Sequence, residues 1–148
     1  MKIQKRIFIC ACALLMVFTT MISVKAGSVT NGVYQTVRHI DIPGGGEINY
    51  ETTYGSKKTD DDMYATFLMT YKEALLGNFA HLITQDKYTR SASIGLIYEE
   101  EVLAREQSSI SKGTNYYSAT ASNKFEPSNT CDVIIKFSAD NLKELNWP

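Results

Sequence analysis

The sequence predicts an all-β fold, a small antiparallel β-sandwich of about six to eight strands. Three observations predict it. Short segments alternate apolar and polar residues with a period of two, the pattern of half-buried strands. Turn-forming clusters separate them: Pro43-Gly44-Gly45-Gly46, Gly55 to Asp62, Ser108 to Gly113 and Asn123 to Thr130. Only one stretch, Met63 to Leu76, fits a helix as well as a strand, so the alternative is a β-rich α+β fold with one helix near 60–76.

Gly27 to Gly32 reads as a loose start, and Val33 to Ile42 as a strand rich in β-branched residues. The glycines at 44–46 break it. Ile48, Tyr50, Thr52 and Tyr54 then alternate with Glu47, Asn49, Glu51 and Thr53, and the pair reads as a hairpin around the glycine turn. A phosphate-binding loop would need a lysine and a following helix, and here a strand follows. In Met63 to Leu76, Thr59 can cap a helix, three Asp sit in its first turn and Gly77 can end it. Yet Met63, Ala65, Phe67, Met69 and Tyr71 also alternate. Phe79 to Thr84 is a short strand. Tyr88, Ala92, Ile94, Leu96 and Tyr98 share a face, Glu99-Glu100-Glu101 turns the chain, and Val102 to Glu106 returns as the partner strand. Tyr116 to Ser122 carries Tyr117, Ala119 and Ala121 on one side. Cys131, Val133, Ile135 and Phe137 form the inward face of the strongest late strand, and Leu142, Leu145 and Trp147 can pack from the tail.

The N-terminus reads as a secretory leader. Lys2, Lys5 and Arg6 precede an apolar run from Ile7 to Val17, and Val24-Lys25-Ala26 offers small residues at a cleavage site, so residues 1–26 are the expected signal peptide and 27–148 one secreted β-rich domain. A membrane anchor fits less well, since Thr19-Thr20 and Lys25 interrupt a span that needs about 20 apolar residues. Lipidation at Cys10 or Cys12 would leave too short an apolar run. The leader resembles that of a bacterial exported protein, and the resemblance, which covers these 26 residues only, implies export.

The leader holds four of the fifteen basic residues and no acid, so eleven remain against sixteen acids, a net charge of −5. Such a domain is no electrostatic trap for nucleic acid or for anionic lipid. After cleavage Cys131 is the single cysteine, so no intrachain disulfide forms, and its apolar strand neighbours make it a buried thiol. An intermolecular disulfide is the other reading.

Catalytic and metal-binding patterns are sparse: no H-E-x-x-H, no Cys/His ligand spacing and no G-x-S-x-G. No metal or cofactor is expected. A small ribonuclease could use His39, His81, Glu47 and Arg90 around a phosphate, but nothing in their spacing groups them. Asp60-Asp61-Asp62 and Glu99-Glu100-Glu101 could hold calcium only if the two runs meet in space. Tyrosine is the unusual residue: nine, all beyond the leader. Tyr116 and Tyr117 are the binding candidates, because adjacent strand residues face opposite sides and one ring should lie outside the core. These readings lead to an exported, non-catalytic binding domain acting at or beyond the cell surface on an unidentified surface or protein partner. A bacteriocin-like antagonist and a small secreted hydrolase are the alternatives.

Overall fold

The computed structural model describes residues 29–31, 33–74, 76–127 and 130–142. The expected signal peptide, and Leu145 and Trp147 of the tail, lie outside them. Among the described residues there is no helix, and nine strands form two packed sheets: β1 (Val29–Asn31), β2 (Gln35–Ile42), β3 (Ile48–Lys57), β4 (Tyr64–Lys72), β5 (Asn78–Ile83), β6 (Ile94–Gly95), β7 (Glu101–Arg105), β8 (Asn115–Ser122) and β9 (Cys131–Ser138). One sheet has the order β1-β3-β8-β5-β6 and the other β2-β9-β4-β7. The all-β sandwich is therefore observed, with two very short strands taking the number just above the expected range.

The ambiguous segment is a strand. β4 turns Ala65, Phe67 and Met69 fully inward, where Phe67 stacks on Phe137 with ring centroids 6.1 Å apart. The β-branched and aromatic content of this stretch decides against the helix once β7 and β9 flank it. The core also holds Val37, Ile42, Ala80, Leu82, Tyr116, Val133 and Ile135, with Cys131 buried and unbridged beside them. Burial pushes the Cys131 thiol up from its ordinary value, which leaves it a poor nucleophile.

Of the two expected hairpins, the first is not formed and the second is formed only in part. β2 pairs with β9 and β3 with β8, so the glycine-rich turn carries the chain from one sheet across to the other. Gly45 and Gly46 there have φ of +77° and +85°, and a Cβ on Gly46 would lie 3.2 Å from Cα of Lys124. The second is reduced to one antiparallel bridge, Ser91 opposite Glu106, with the Ala92 amide donating to the Arg105 carbonyl and the Gln107 amide to the Arg90 carbonyl; β7 otherwise pairs with β4, and β6 joins the edge of the other sheet. β2 and β7 become the edge strands of the four-stranded sheet, each paired on one side with a long strand, β9 or β4, whose inward residues are buried. The N-terminal stretch is not wholly loose either, since β1 runs parallel to the end of β3.

Candidate functional site

The two outward faces of the sandwich differ in chemistry. On the four-stranded sheet the outward positions mix polar and apolar residues: Thr36 and Arg38 of β2, Asp132, Ile134 and Lys136 of β9, and Leu68 and Tyr71 of β4. Arg38 pairs with Asp132, whose carboxyl the Asp41 amide and that guanidinium hold below its ordinary range. This is the wet face that an antiparallel sheet normally shows to solvent.

The outward face of the five-stranded sheet is apolar along its centre. The register places Ile48, Ala121 and Phe79 in one row across β3, β8 and β5, Tyr50, Ala119 and His81 in the next, and Tyr117 beside Ile83 beyond them. Ile83, Tyr117 and Ala119 form a buried cluster of their own, separate from the inter-sheet core. Small residues on the central strand, with large ones on both flanks, make a trough. Its end is closed by the segment that leaves β8, which sets Lys124 and Phe125 beside Gly46.

The resulting cleft has a volume of about 520 Å³, within the range of small-molecule sites. Ile48, Phe79, Ala121 and Phe125 give it apolar walls, and Thr89, His81 and Ser93 stand among its polar groups. Ile48 is 43% exposed and Phe125 74%, so the walls face water. Lys124 is the single charged lining residue, and its ammonium lies 4.8 Å from the centroid of the Phe125 ring. His81 is 6% exposed, and its Nε2 has no hydrogen-bond partner among the described residues. Burial pushes the His81 imidazole below its ordinary value, so it is neutral at physiological pH and presents one donor and one acceptor.

Tyr116 and Tyr117 do face opposite sides, as strand alternation requires, but neither ring is exposed. Tyr116 lies in the inter-sheet core at 2% exposure, and its hydroxyl accepts a hydrogen bond of 2.8 Å from the Ser111 amide. Tyr117 faces outward yet is only 8% exposed, because its ring lies against Gly55 on one side and packs with Ile83 and Ala119.

The four residues weighed for a ribonuclease are not brought together. His39 lies between the sheets, 1% exposed, with Nδ1 3.0 Å from Oδ1 of Asn49 and Nε2 3.0 Å from Oγ of Ser118. His81 is on the other sheet, on its outward face opposite Ala119. Ser118, His39 and Asn49 follow one another as a nucleophile, base and orienting group would, but Ser118 has no exposed surface. The trio instead satisfies polar groups inside the core.

The acidic runs do not meet either. Leu68 pairs with Glu101 and Tyr64 with Arg105, which puts Asp60-Asp61-Asp62 before the start of β4 and the glutamates beyond its middle, roughly 20 Å apart at strand spacing. Among the described residues no group of three or more His, Cys, Asp or Glu is arranged to hold a metal. Asp61 pairs with Lys112, Asp62 accepts from the Asn141 side-chain amide, and Asp60 lies against a buried lysine, Lys58. Nζ of Lys58 donates to the Ala139 carbonyl at 2.8 Å and reaches both Glu106 carboxylate oxygens at 3.0 Å. Asp60 Oδ1 lies 2.7 Å from it, an ion pair in distance though outside hydrogen-bond geometry. Burial, only partly offset by Lys58, raises the Glu106 carboxyl from 4.5 to about 7.

Comparison with family models, curated proteins and solved structures gives no match. Fold and cleft therefore define the molecule only as a β-sandwich with one mixed outward face and one apolar, grooved one.

Proposed function

We propose that this protein is an exported, non-catalytic binding domain that works at or beyond the cell surface, and that it binds through the apolar outward face of the five-stranded sheet. The observation that supports this is the difference between the two faces. Contiguous apolar surface on a small domain mostly marks an interaction site. Here it is concave, aromatic-walled and rigidly backed by three paired strands, whereas the opposite face interleaves its apolar residues with Arg38, Asp132 and Lys136. Export rests on the leader at residues 1–26, whose basic, apolar and small-residue segments follow the order of a signal peptide.

The reading is tested on the labelled domain 27–148, by its retention on washed cells of the source organism and on their isolated walls. Ala121→Trp places an indole on the floor of the cleft, where Ala121 is partly exposed. Retention should fall at least tenfold while the melting temperature stays within a few degrees. Equal retention of the two proteins would place binding elsewhere on the molecule.

A further inference from the structure

The same cleft has a polarity that narrows what it takes, and the inference rests on the reading of this face as the binding site. Its floor, Ala121, and its flanks, Ile48 and Phe79, offer no hydrogen bond from their side chains. One end carries Lys124, which has no ion-pair partner among the described residues and rests only on the Phe125 ring. Toward the other end, two residues along β5 from Phe79, is His81. An orphaned Nε2 on a side chain more than nine-tenths buried is costly, because it has lost water and gained no partner. Nε2 has less than 1 Å² of its own surface exposed, so a ligand atom recovers that loss as the ring turns toward the cleft that His81 lines.

We infer that the cleft binds a small amphipathic anion, with an acyl or aromatic body on the alanine floor between Ile48 and Phe79, its carboxylate at Lys124, and a hydroxyl or carbonyl at the far end bonded to Nε2 of His81. A sugar fits poorly, since its many hydroxyls would meet apolar walls. A cation is disfavoured by Lys124. The same chemistry could be presented by a free carboxylate or by an anionic lipid in a bilayer.

The test uses the domain 27–148 and displacement of anilinonaphthalene sulfonate, a fluorescent aromatic anion, by octanoate, decanoate, decanol and 10-hydroxydecanoate. Decanoate should displace better than octanoate by about fourfold per methylene. It should displace better than decanol by roughly three- to fivefold, the value of one exposed ion pair. Lys124→Gln should erase that second difference. A hydroxyl added to an apolar ligand normally weakens binding, so 10-hydroxydecanoate should match or exceed decanoate on the native protein and fall below it on His81→Phe. Phe125→Ala alters a ring that is three-quarters exposed, and should weaken every ligand without lowering stability.

Decanol equal to decanoate, or no displacement by any of them, overturns the assignment of ligand class while retention on cells still decides the binding face. Unchanged sulfonate binding by both Ala121→Trp and Phe125→Ala would sink the cleft as the site altogether. Binding to phosphatidylglycerol vesicles but not to monomeric decanoate would overturn the free-carboxylate form in favour of a bilayer surface.

Discussion

Lys58 is 3% exposed, and a lysine is rarely so buried unless it is paired. Glu106, Asp60 and the Ala139 carbonyl pair it, while Asp140 next to it accepts from the Thr59 hydroxyl and from the amides of Thr59 and Asp60. Burial pushes the Asp140 carboxyl up, but these hydrogen bonds outweigh it and hold the group below its ordinary value. Lys58→Met should therefore cost about 3–5 kcal/mol, since it strands the carboxylates it neutralised. The pH dependence follows from the two shifts. Asp140, depressed in the fold, stabilises above its ordinary 3.8 and loses that contribution as pH falls below it. Glu106, raised to about 7, contributes fully below 4.5, and the contribution is lost as pH rises through 7. Thermal melts should show greatest stability between those limits. Glu106→Gln should decline less than the native protein between pH 5 and pH 8; an equal decline would put the alkaline loss elsewhere.

At the level of elements, β3 carries the main irregularity. It pairs with β8 from Ile48 to Glu51 and again at Ser56 and Lys57, but the partner sum shifts by three residues between them. An odd shift exchanges the two faces of a strand. Ile48 and Tyr50 consequently point outward into the cleft wall, whereas Tyr54 packs against the inter-sheet core. The alternation of Ile48, Tyr50, Thr52 and Tyr54 reads as one continuous inner face, and the bulge divides it. Gly55, next to the bulge, is the contact that lets Tyr117 lie flat, because a Cβ there would come within 2.9 Å of its Cε1. Gly55→Ala should cost about 1–3 kcal/mol by overpacking. Tyr117→Ala alone should cost about 3–5 kcal/mol as a buried aromatic. In a double-mutant cycle the Gly55 penalty should largely vanish once the ring is gone; strict additivity would show that the two do not meet.

For the whole molecule, the chain changes sheets at nearly every connection, and β5 with β6 is the one sequence-adjacent pair that hydrogen-bonds among the described strands. β2 waits for β9 and β3 for β8, each many tens of residues later. Such non-local pairing is closed only after large loop entropy is lost, so folding should take milliseconds to seconds in stopped-flow refolding. A microsecond phase carrying most of the amplitude would contradict this. The same late pairing builds the candidate site: its floor comes from β8 and its walls from β3 and β5, so no fragment lacking the C-terminal third contains it.

The sequence by itself determined the class of fold and the inward face of the last strand, because period-two alternation and turn residues are local signals. It also carried Tyr117, Ala119 and Ala121 on one side of a strand, and Tyr116 on the other. Which side met water was not local. Tyr117 is covered by Gly55 and Ile83, residues 62 and 34 positions away, and Ala121 becomes the floor of a cleft only because Ile48 and Phe79 are its neighbours. His81 reads as an ordinary structural histidine between Ala80 and Leu82; pairing opposite Ala119 leaves its Nε2 without a partner at the cleft. Strand register between distant segments is set by the packing of both sheets at once, and so the tertiary structure alone decided where the apolar face, and with it the candidate site, would lie.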